Sequence, residues 1–449
     1  MLKSRLRVNS HATNGANLTA DEATRGSPNR AIGLSSAICL VVANMIGVGV
    51  FTTSGFALAD LCTPERVLVA WALGGAIAIL GAISYGALAA RISESGGEYL
   101  FLSRTIHPIA GFLAGWVSLL AGFTAPIAAA AWGLQVYLGP NEPQPWFGTA
   151  AILLAGVLHG VWRTPGLVTQ NAMVTVKLLL IAGIIVFGLL HLPGGTPTAA
   201  PAMPGMNVFA VALVWISFSY SGWNAAVYIA GEVRDPKRGL PRALLFGTSI
   251  VMAFYILLNA VFVYAAPVAE LAGRQDIGAV AAAALGGETF AWFVRVVIAI
   301  ALLTSISGMV MTGPRVYAKM ADDGVFPRIF SSRRTAPAAA VWFQVALAIV
   351  ALWISTLRDL LGYIGYTLSL STAATIIGLF VLRRREGKAA VPIPGYPWVP
   401  GLFVIATVFI GIVSMMLLPW NTLWGVLTPL SGLLVYFLMK RFGSRSPTA

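Results

Sequence analysis

Long apolar stretches, each near the length that crosses a lipid bilayer, recur along almost the whole chain of 449 residues. A helix needs about 20 apolar residues to cross the hydrocarbon core, because each residue advances it by about 1.5 Å. Since 58% of the residues are hydrophobic and only 10% are charged, a water-soluble globule is excluded. The sequence predicts an all-α membrane protein with twelve transmembrane helices. The predicted spans are 31–61, 66–90, 108–138, 146–162, 167–192, 207–232, 243–266, 289–320, 337–356, 360–382, 399–418 and 421–440.

Basic residues are distributed among the loops in a way that predicts the orientation of the spans. The net charge of +13 comes from Lys and Arg placed between apolar runs, which does not indicate nucleic-acid binding. If the amino terminus is cytoplasmic, only Arg66, Arg274 and Arg358 fall in the outer loops. This bias predicts an even number of spans with both termini cytoplasmic, in the inner or plasma membrane of the cell. The segments 1–30 and 441–449 are predicted to be cytoplasmic tails, the first of them disordered.

The first and sixth spans contain residues that a plain lipid-facing helix does not need. The first holds Asn44-Met45-Ile46-Gly47-Val48-Gly49-Val50-Phe51, in which two glycines weaken the helix. The sixth holds Ser217-Phe218-Ser219-Tyr220-Ser221-Gly222-Trp223-Asn224, which places polar groups at bilayer depth. Each has a plainer interpretation, since small residues let helices approach and hydroxyls bond to preceding carbonyls. Together the two stretches favour interrupted helices.

Interrupted helices at membrane depth leave amides and carbonyls without partners, and such backbone is tolerated where it lines a cavity. Spans one and six hold corresponding positions if the first ten spans form two five-helix repeats, although no residue-level repeat is visible. Amides near Met45 to Gly49 favour an anion, and carbonyls near Phe218 to Ser221 favour an ammonium group. A zwitterionic ligand fits both.

Three motifs carry a resemblance to a known family. The first is Gly47-Val48-Gly49-Val50-Phe51, which is similar to a first-helix Gly-x-Gly-Ile-Phe. The second, residues 218–224, is similar to Phe-x-Tyr-x-Gly-Trp-Asn and continues as Glu-Val-Arg-Asp-Pro from Glu232. The third is residues 313–327, at the end of span eight. These motifs resemble the amino acid–polyamine–organocation superfamily, and the chain is similar to its bacterial relatives of the L-type and alanine-serine-cysteine exchangers.

The resemblance implies a LeuT-like fold, in which two inverted five-helix repeats each begin with an interrupted helix. The repeats would be 31–192 and 207–382, followed by two further helices within 399–440. The resemblance also implies that the substrate carboxylate binds amides of helix one and that the amine binds carbonyls of helix six. Phe218 would be an aromatic lid over the substrate, and Asn224 would contact its side chain.

The expected substrate site combines the two breaks. Helix one is expected to offer the amides of Ile46, Val48 and Gly49. Helix six is expected to offer the carbonyls of Phe218, Ser219 and Ser221. The predicted substrate-binding residues are Met45, Ile46, Gly47, Val48, Gly49, Phe218, Ser219, Tyr220, Ser221 and Asn224.

Lys177 lies midway along span five, among apolar neighbours. A buried ammonium group is costly there, and from mid-span the side chain is poorly placed to snorkel to the interface. Many relatives carry a Lys in helix five, and the resemblance implies that its charge replaces the sodium ion that other LeuT-fold carriers bind between helices one and eight. The expected partners are carbonyls near Gly47 and a hydroxyl among Thr304, Ser305 and Ser307. Transport would then need no sodium, which leaves exchange and proton symport open.

Other functional classes lack their signatures in this sequence. No metal-ligand spacing, phosphate loop or serine elbow is present, so the sequence predicts no enzyme, cofactor or metal site. A channel would be expected to show charge rings or filter strings, and a nutrient sensor would usually add a soluble segment. The prediction is a secondary transporter working by alternating access, with the sensor as an alternative. Protons are the candidate coupling ion, and no partner protein is implied.

The predicted substrate is a neutral L-amino acid of small to medium size, because no Asp or Glu is predicted at mid-depth. The sixteen acidic residues fall in tails, loops or helix ends, and Asp60 and Glu232 are predicted to lie closest to a cavity. A second ammonium group on a substrate would therefore lack a buried counter-ion. Cationic amino acids and polyamines are the alternative substrates.

Overall fold

The computed structural model describes residues 32–139, 145–161, 167–194, 205–331, 338–417 and 419–443. Within these ranges the chain is helical, and one isolated β-bridge joins Ile32 to Val233. The last helix reaches Gly443, so the predicted tail 441–449 begins inside a helix. The rest of that tail and the predicted tail 1–30 lie outside the described residues.

The first predicted span consists of two helices that meet at an angle of 42°. Helix α1 is Leu34–Met45 and helix α2 is Val48–Leu61. Between them, Ile46 has φ −76° and ψ 88°, and Gly47 has φ −123° and ψ −158°, which are not helical values. The predicted interruption of span one is therefore present, at the first of its two glycines.

Fifteen further α-helices follow. Helices α3 to α8 are Pro64–Arg91, Gly97–Thr105, Pro108–Val117, Ala125–Leu138, Pro145–Gly160 and Leu167–Leu190, with a π-helical turn at Ser118–Thr124. Helices α9 to α13 are Met206–Tyr220, Pro236–Tyr264, Val268–Leu271, Ile277–Thr312 and Pro314–Asp322, with a 3-10 helix at Ala225–Glu232. After a 3-10 turn at Arg328–Phe330, helices α14 to α17 are Ala338–Ile354, Leu357–Glu386, Trp398–Leu417 and Pro419–Gly443.

Nine helical segments of the described residues are long and apolar enough to cross a membrane, and the bent pair of α1 and α2 makes a tenth. Two shorter apolar helices, α7 and α14, lie where the sequence predicts spans four and nine. Span eight is predicted to start at 289, and the helical segment there begins earlier, at Ile277. Non-helical dihedral angles at Gly286 and Gly287 divide this segment, so the part that follows the break begins close to the predicted start.

The sixth predicted span is also interrupted. Helix α9 ends at Tyr220, and the chain resumes as the 3-10 helix at Ala225. Gly222 lies between them with φ +96°, a value that residues with a Cβ atom rarely adopt. A Cβ atom at Gly222 would lie 2.6 Å from the Asn44 carbonyl oxygen, so the breaks of spans one and six are in contact.

Close packing and a π-helical turn bring other elements to this contact. Helix α10 packs along α3 and α1, and a Cβ atom at Gly247 of α10 would lie 2.7 Å from the Val41 side chain of α1. The π-helical turn immediately precedes α6, whose second residue, Pro126, has no N–H to donate. The widened turn places Gly122 and Phe123 beside the break of span six.

Candidate functional site

A cavity of about 100 Å³ lies against the break of span six. Its walls come mainly from the broken span, α3, the π-helical turn, α15 and α16. Most of the lining is apolar, and its polar groups include Asn44, Ser221, Asn224, Ser369 and Thr372. Among the described residues, no Asp, Glu, Lys or Arg lines the cavity. Such a cavity can enclose a small molecule and orient its polar groups.

Four of the predicted substrate residues line this cavity, namely Phe218, Tyr220, Ser221 and Asn224. The Tyr220 hydroxyl is directed to α3, where it donates to the Trp71 carbonyl at 3.0 Å. The Phe218 carbonyl accepts a hydrogen bond from the Ser221 amide at 2.8 Å. The Tyr220 hydroxyl and the Phe218 carbonyl therefore each have a hydrogen-bond partner within the protein.

Ser219, in contrast, faces α2. Its hydroxyl oxygen lies 2.9 Å from Thr53 Oγ1. A Cβ atom at Gly49 would collide with Ser219. Gly49 therefore allows spans one and six to pack closely, which is the plainer of the two interpretations of this glycine.

The amides at the break of helix one differ in their availability. The Ile46 amide donates to the Val42 carbonyl at 3.1 Å, so the prediction that it is free is wrong. Ile46 completes the last turn of α1. Val48 and Gly49 are the first residues of α2, and amides of a first turn have no acceptor within their helix.

Tyr255 of α10 joins the two breaks. Its hydroxyl oxygen lies 2.5 Å from the Met45 carbonyl oxygen and 3.1 Å from that of Ser219. The hydroxyl has one proton for the two carbonyls, so the Ser219 carbonyl, predicted to be free for a substrate amine, shares this donor with Met45. Gly47 borders open space, since no heavy atom lies within 4 Å of a Cβ atom built there. The six predicted residues that do not line the cavity are Met45, Ile46, Gly47, Val48, Gly49 and Ser219.

Lys177 lies on α8, and its side chain reaches the end of α1. The residue is 2% exposed. Its ammonium nitrogen lies 2.8 Å from the Ile46 carbonyl oxygen and 3.4 Å from that of Ala301. It also lies 3.3 Å from Ser305 Oγ and 3.5 Å from Thr304 Oγ1, both on α12. The structure thus brings Lys177 to the break of helix one and to two of its three expected hydroxyl partners.

Ser307, the third hydroxyl expected near Lys177, points elsewhere. Its Oγ lies 2.7 Å from Nε2 of His159 on α7. Together with Thr304, these two residues line a second cavity, of about 50 Å³. The expectation for Ser307 is wrong because two residues turn a helix by about 200°, which separates Ser307 from Ser305.

Glu98 of α4 is bonded to residues that line the substrate cavity, although the residue itself is only 3% exposed. Its Oε1 accepts hydrogen bonds from the Tyr85 hydroxyl at 3.2 Å and from the Asn224 amide nitrogen. Its Oε2 accepts from the Tyr228 hydroxyl at 2.5 Å. Asn224 and Tyr228 both line the cavity. Burial raises the pKa of Glu98, while these hydrogen bonds oppose the rise.

The prediction that Asp60 and Glu232 lie closest to the cavity is therefore wrong. Neither lines it, and Glu232 forms a partly exposed ion pair instead. Sequence reasoning missed Glu98 because it belongs to the segment between spans two and three. The signal in the sequence is the pair Gly96-Gly97, and in the structure both glycines have positive φ. A Cβ atom at Gly97 would collide with the Tyr228 ring, so this pair lets α4 approach the broken span.

Comparison with known proteins agrees with a transporter site. The model of the amino acid permease family matches residues 32–439. The chain is 29% identical over 448 residues to b(0,+)-type amino acid transporter 1 of Homo sapiens, covering 95% of this chain and 91% of that protein. It is 30% identical over 429 residues to the serine/threonine exchanger SteT of Bacillus subtilis, covering 91% and 97%. It is 27% identical over 427 residues to Asc-type amino acid transporter 1 of Mus musculus, covering 91% and 80%.

The family match and the relatives extend over nearly the same part of the chain as its apolar helices. A cavity at the break of span six, with a second interrupted helix in contact with that break, is the arrangement expected of a carrier. The chain belongs to the amino acid permease family, within the amino acid–polyamine–organocation superfamily, and is a multi-pass membrane transporter rather than an enzyme.

Proposed function

We propose that this permease transports neutral L-amino acids of small to medium size by alternating access and without sodium. The main support is the cavity at the break of span six, which no charged side chain of the described residues lines. A second charge on a substrate would enter this cavity without a counter-ion, at a cost in free energy. Such a lining favours alanine, serine, leucine and similar amino acids.

The proposed architecture has twelve transmembrane helices in a LeuT-like arrangement. The two inverted repeats are 31–192 and 207–382, and two further helices lie within 399–440. The ten apolar spans and the two shorter apolar helices of the described residues support this count. The interrupted helices then hold corresponding positions, where such folds bind substrate. Both termini are cytoplasmic in this proposal, and the protein lies in the cell membrane.

In the proposed binding mode, the substrate carboxylate meets the amides of Val48 and Gly49 at the positive end of α2. The substrate amine meets carbonyls of the broken sixth span, those of Ser221 and of Phe218, whose oxygen has a second lone pair beside the one that accepts from the Ser221 amide. Within the described residues, the cavity reaches helix one at Asn44 alone. Substrate binding then requires the two breaks to move apart, after which the Phe218 ring closes over the ligand.

The proposed coupling residue is Lys177, whose charge replaces a bound sodium ion. Its ammonium group links the end of α1 to α12 through the Ile46 carbonyl and Ser305. A cation at this junction stabilises one arrangement of the two helices, and loss of the contacts releases α1. Exchange and proton symport are both compatible with this coupling, because a buried Lys can either keep its charge or release a proton.

Counterflow into liposomes that hold only this protein tests the proposed function. Liposomes loaded with alanine in sodium-free buffer should accumulate labelled alanine with saturation, and serine and leucine should compete. A requirement for sodium would contradict the proposal, as would competition by arginine or putrescine without competition by neutral amino acids. Uptake into empty liposomes under a pH gradient would indicate proton symport. Binding without transport would indicate a sensor.

Cationic amino acids are the alternative substrates, and Glu98 is the observation that favours them. Its carboxylate bonds to two cavity-lining residues. The two carboxylate oxygens already accept three hydrogen bonds, however, and Glu98 does not line the cavity itself. The observations therefore favour neutral amino acids over cationic ones as the substrates. Labelled arginine in the same counterflow assay separates the two.

A further inference from the structure

Glu98 reaches the cavity through another side chain. It lies on α4, between two spans, but its carboxylate enters the bundle between Tyr85 of α3 and Tyr228 of the 3-10 helix. Three donors meet its two oxygens, and the third donor is the side-chain amide of Asn224. Among the described residues, no cation pairs with this carboxylate. The Glu98 cluster, defined by these four residues, joins a buried anion to three neutral groups.

The Glu98 cluster fixes the orientation of the Asn224 amide. An ionised carboxylate only accepts hydrogen bonds, whereas a side-chain amide has one donor end and one acceptor end. The Asn224 nitrogen therefore faces Glu98, which leaves Oδ1 for the cavity that Asn224 lines. A reversed amide would set two acceptors against each other in a buried site, which is unfavourable.

We propose that Glu98 is a positioning residue for substrate selection, which holds the Asn224 amide so that Oδ1 accepts a hydrogen bond from the substrate side chain. The substrates selected in this way are small neutral amino acids with a side-chain hydroxyl, such as serine and threonine. This selection rests on the proposed function, because it requires the substrate side chain to point toward Asn224. Alanine and valine have similar sizes without the donor, so they are the matched comparisons.

A purely structural role for Glu98 would have a different signature. If Glu98 merely anchored α4 to the bundle, its replacement would weaken the binding of serine and alanine alike. If it positions Asn224, its replacement changes the ratio of the two affinities, because only serine uses Oδ1. The ratio therefore distinguishes the two roles even when the overall transport rate falls.

Inhibition constants for serine, alanine, threonine and valine, measured against labelled alanine counterflow, test this selection. The wild type should prefer serine over alanine and threonine over valine by about fivefold, the size of one net hydrogen bond. Glu98→Gln should lower both ratios to about twofold or less, because Gln offers one acceptor oxygen to three donors. Asn224→Ala should do the same. Ser95→Ala is the matched control, since it removes a contact between the loop before α4 and the Gly231 amide, leaves the contact of Glu98 with Asn224 and should keep both ratios.

Three results would overturn the proposal. The first is a wild type that binds serine and alanine with equal affinity, and threonine and valine likewise, whatever the variants show. The second is a ratio that persists in either Glu98→Gln or Asn224→Ala, so the test stands even if one of these variants does not fold. The third is an equal loss of serine and alanine affinity in Glu98→Gln, which would assign Glu98 to anchoring. Failure of every amino acid to compete, in the wild type as well, would contradict the proposed function instead.

Discussion

Two buried charges lie beside the two helix breaks, and their surroundings are opposite. Lys177 is held by oxygens alone, from the carbonyls of Ile46 and Ala301 and from two hydroxyls. Glu98 is held by donors alone, from two tyrosine hydroxyls and an amide. Among these contacts neither charge has an oppositely charged partner. Each is therefore stabilised by hydrogen-bonding dipoles and not by an ion pair.

The two charges also differ in what they hold. The ammonium group of Lys177 contacts the backbone at the end of α1 and side chains of α12, which are parts of two spans. The carboxylate of Glu98 contacts side chains at the second half of span six, from a helix between spans. We therefore expect Lys177 to govern the movement of helix one and Glu98 to govern the choice of substrate.

Replacing Lys177 by alanine should have the largest effect of the changes considered. The variant loses a charge-assisted hydrogen bond to the Ile46 carbonyl, worth roughly 1.5–3 kcal/mol, and leaves that buried carbonyl with fewer donors. We expect the rate of sodium-free alanine counterflow to fall roughly tenfold to hundredfold. The initial rate per molecule of reconstituted protein measures the effect.

Arg295→Ala is the matched control for Lys177→Ala. Arg295 lies on α12, where it contacts Asp276 at 3.5 Å and the Tyr137 carbonyl at 3.3 Å, and not residues of either break. Its loss should lower thermal stability with a much smaller loss of counterflow. Wild-type rates in Lys177→Ala would remove the distinction between the two buried charges, as would a smaller loss there than in Arg295→Ala.

Substituting one glycine at each break tests whether the two breaks differ in the space and backbone conformation that they offer a side chain. Gly222→Ala puts a Cβ atom at φ +96° and 2.6 Å from the Asn44 carbonyl oxygen, and the strained backbone alone costs roughly 1–3 kcal/mol. Gly47→Ala meets no heavy atom within 4 Å at φ −123°, so it should behave like the wild type. Thermal melting of the purified protein, with and without alanine, measures both. Equal losses would contradict the difference between the breaks.

Replacing each of two serines on α12 by alanine tests which hydroxyl takes part in the contacts of Lys177 with α1 and α12. Ser305 Oγ lies 2.7 Å from the Ile46 carbonyl oxygen and 3.3 Å from the Lys177 ammonium nitrogen. Ser305→Ala should lower counterflow about fivefold, for one neutral hydrogen bond of about 1 kcal/mol. Ser307→Ala breaks a contact with His159 instead and should change the rate by less than about twofold. A larger loss in Ser307→Ala would mean that the second cavity takes part in coupling.

The spans could be predicted from the sequence because they follow from apolar length, and the position of the Lys177 junction because the resemblance to LeuT-fold carriers implies a cation between helices one and eight. Long apolar runs define the spans, and two glycines in one of them indicate a break. An ammonium group at mid-span must find acceptors, and the free carbonyls at a helix break are suited to it. Nine long apolar helices and one bent pair among the described residues agree with that reasoning.

The orientation of individual side chains could not be predicted, because it depends on how neighbouring helices rotate and approach. The close packing of Gly49 against Ser219 depends on how spans one and six approach, and Ser307 lies on another face of α12 from Ser305. The position of Glu98 could not be predicted because the segment between two spans folds back into the helix bundle. The pattern of apolar residues does not indicate such a return. The positive φ of its two preceding glycines becomes visible only in the folded chain.

The smallest expected effect is a pH dependence that belongs to the Glu98 cluster alone. Burial raises the pKa of Glu98 above that of an exposed carboxyl. The titratable groups that contact it are Tyr85 and Tyr228, and no Lys, Arg or His of the described residues pairs with it. Acidification should therefore protonate Glu98 before it protonates exposed carboxylates. The neutral acid can donate a hydrogen bond to Asn224 Oδ1, which would turn the amide around.

The preference for serine over alanine should be full near neutral pH and fall from about fivefold toward about twofold as the pH drops through that raised pKa. Inhibition constants at a series of pH values measure this change, and Glu98→Gln should show a low ratio at every pH. A wild-type ratio that rises on acidification, or the same pH profile in Glu98→Gln, would mean that another group controls the orientation of Asn224.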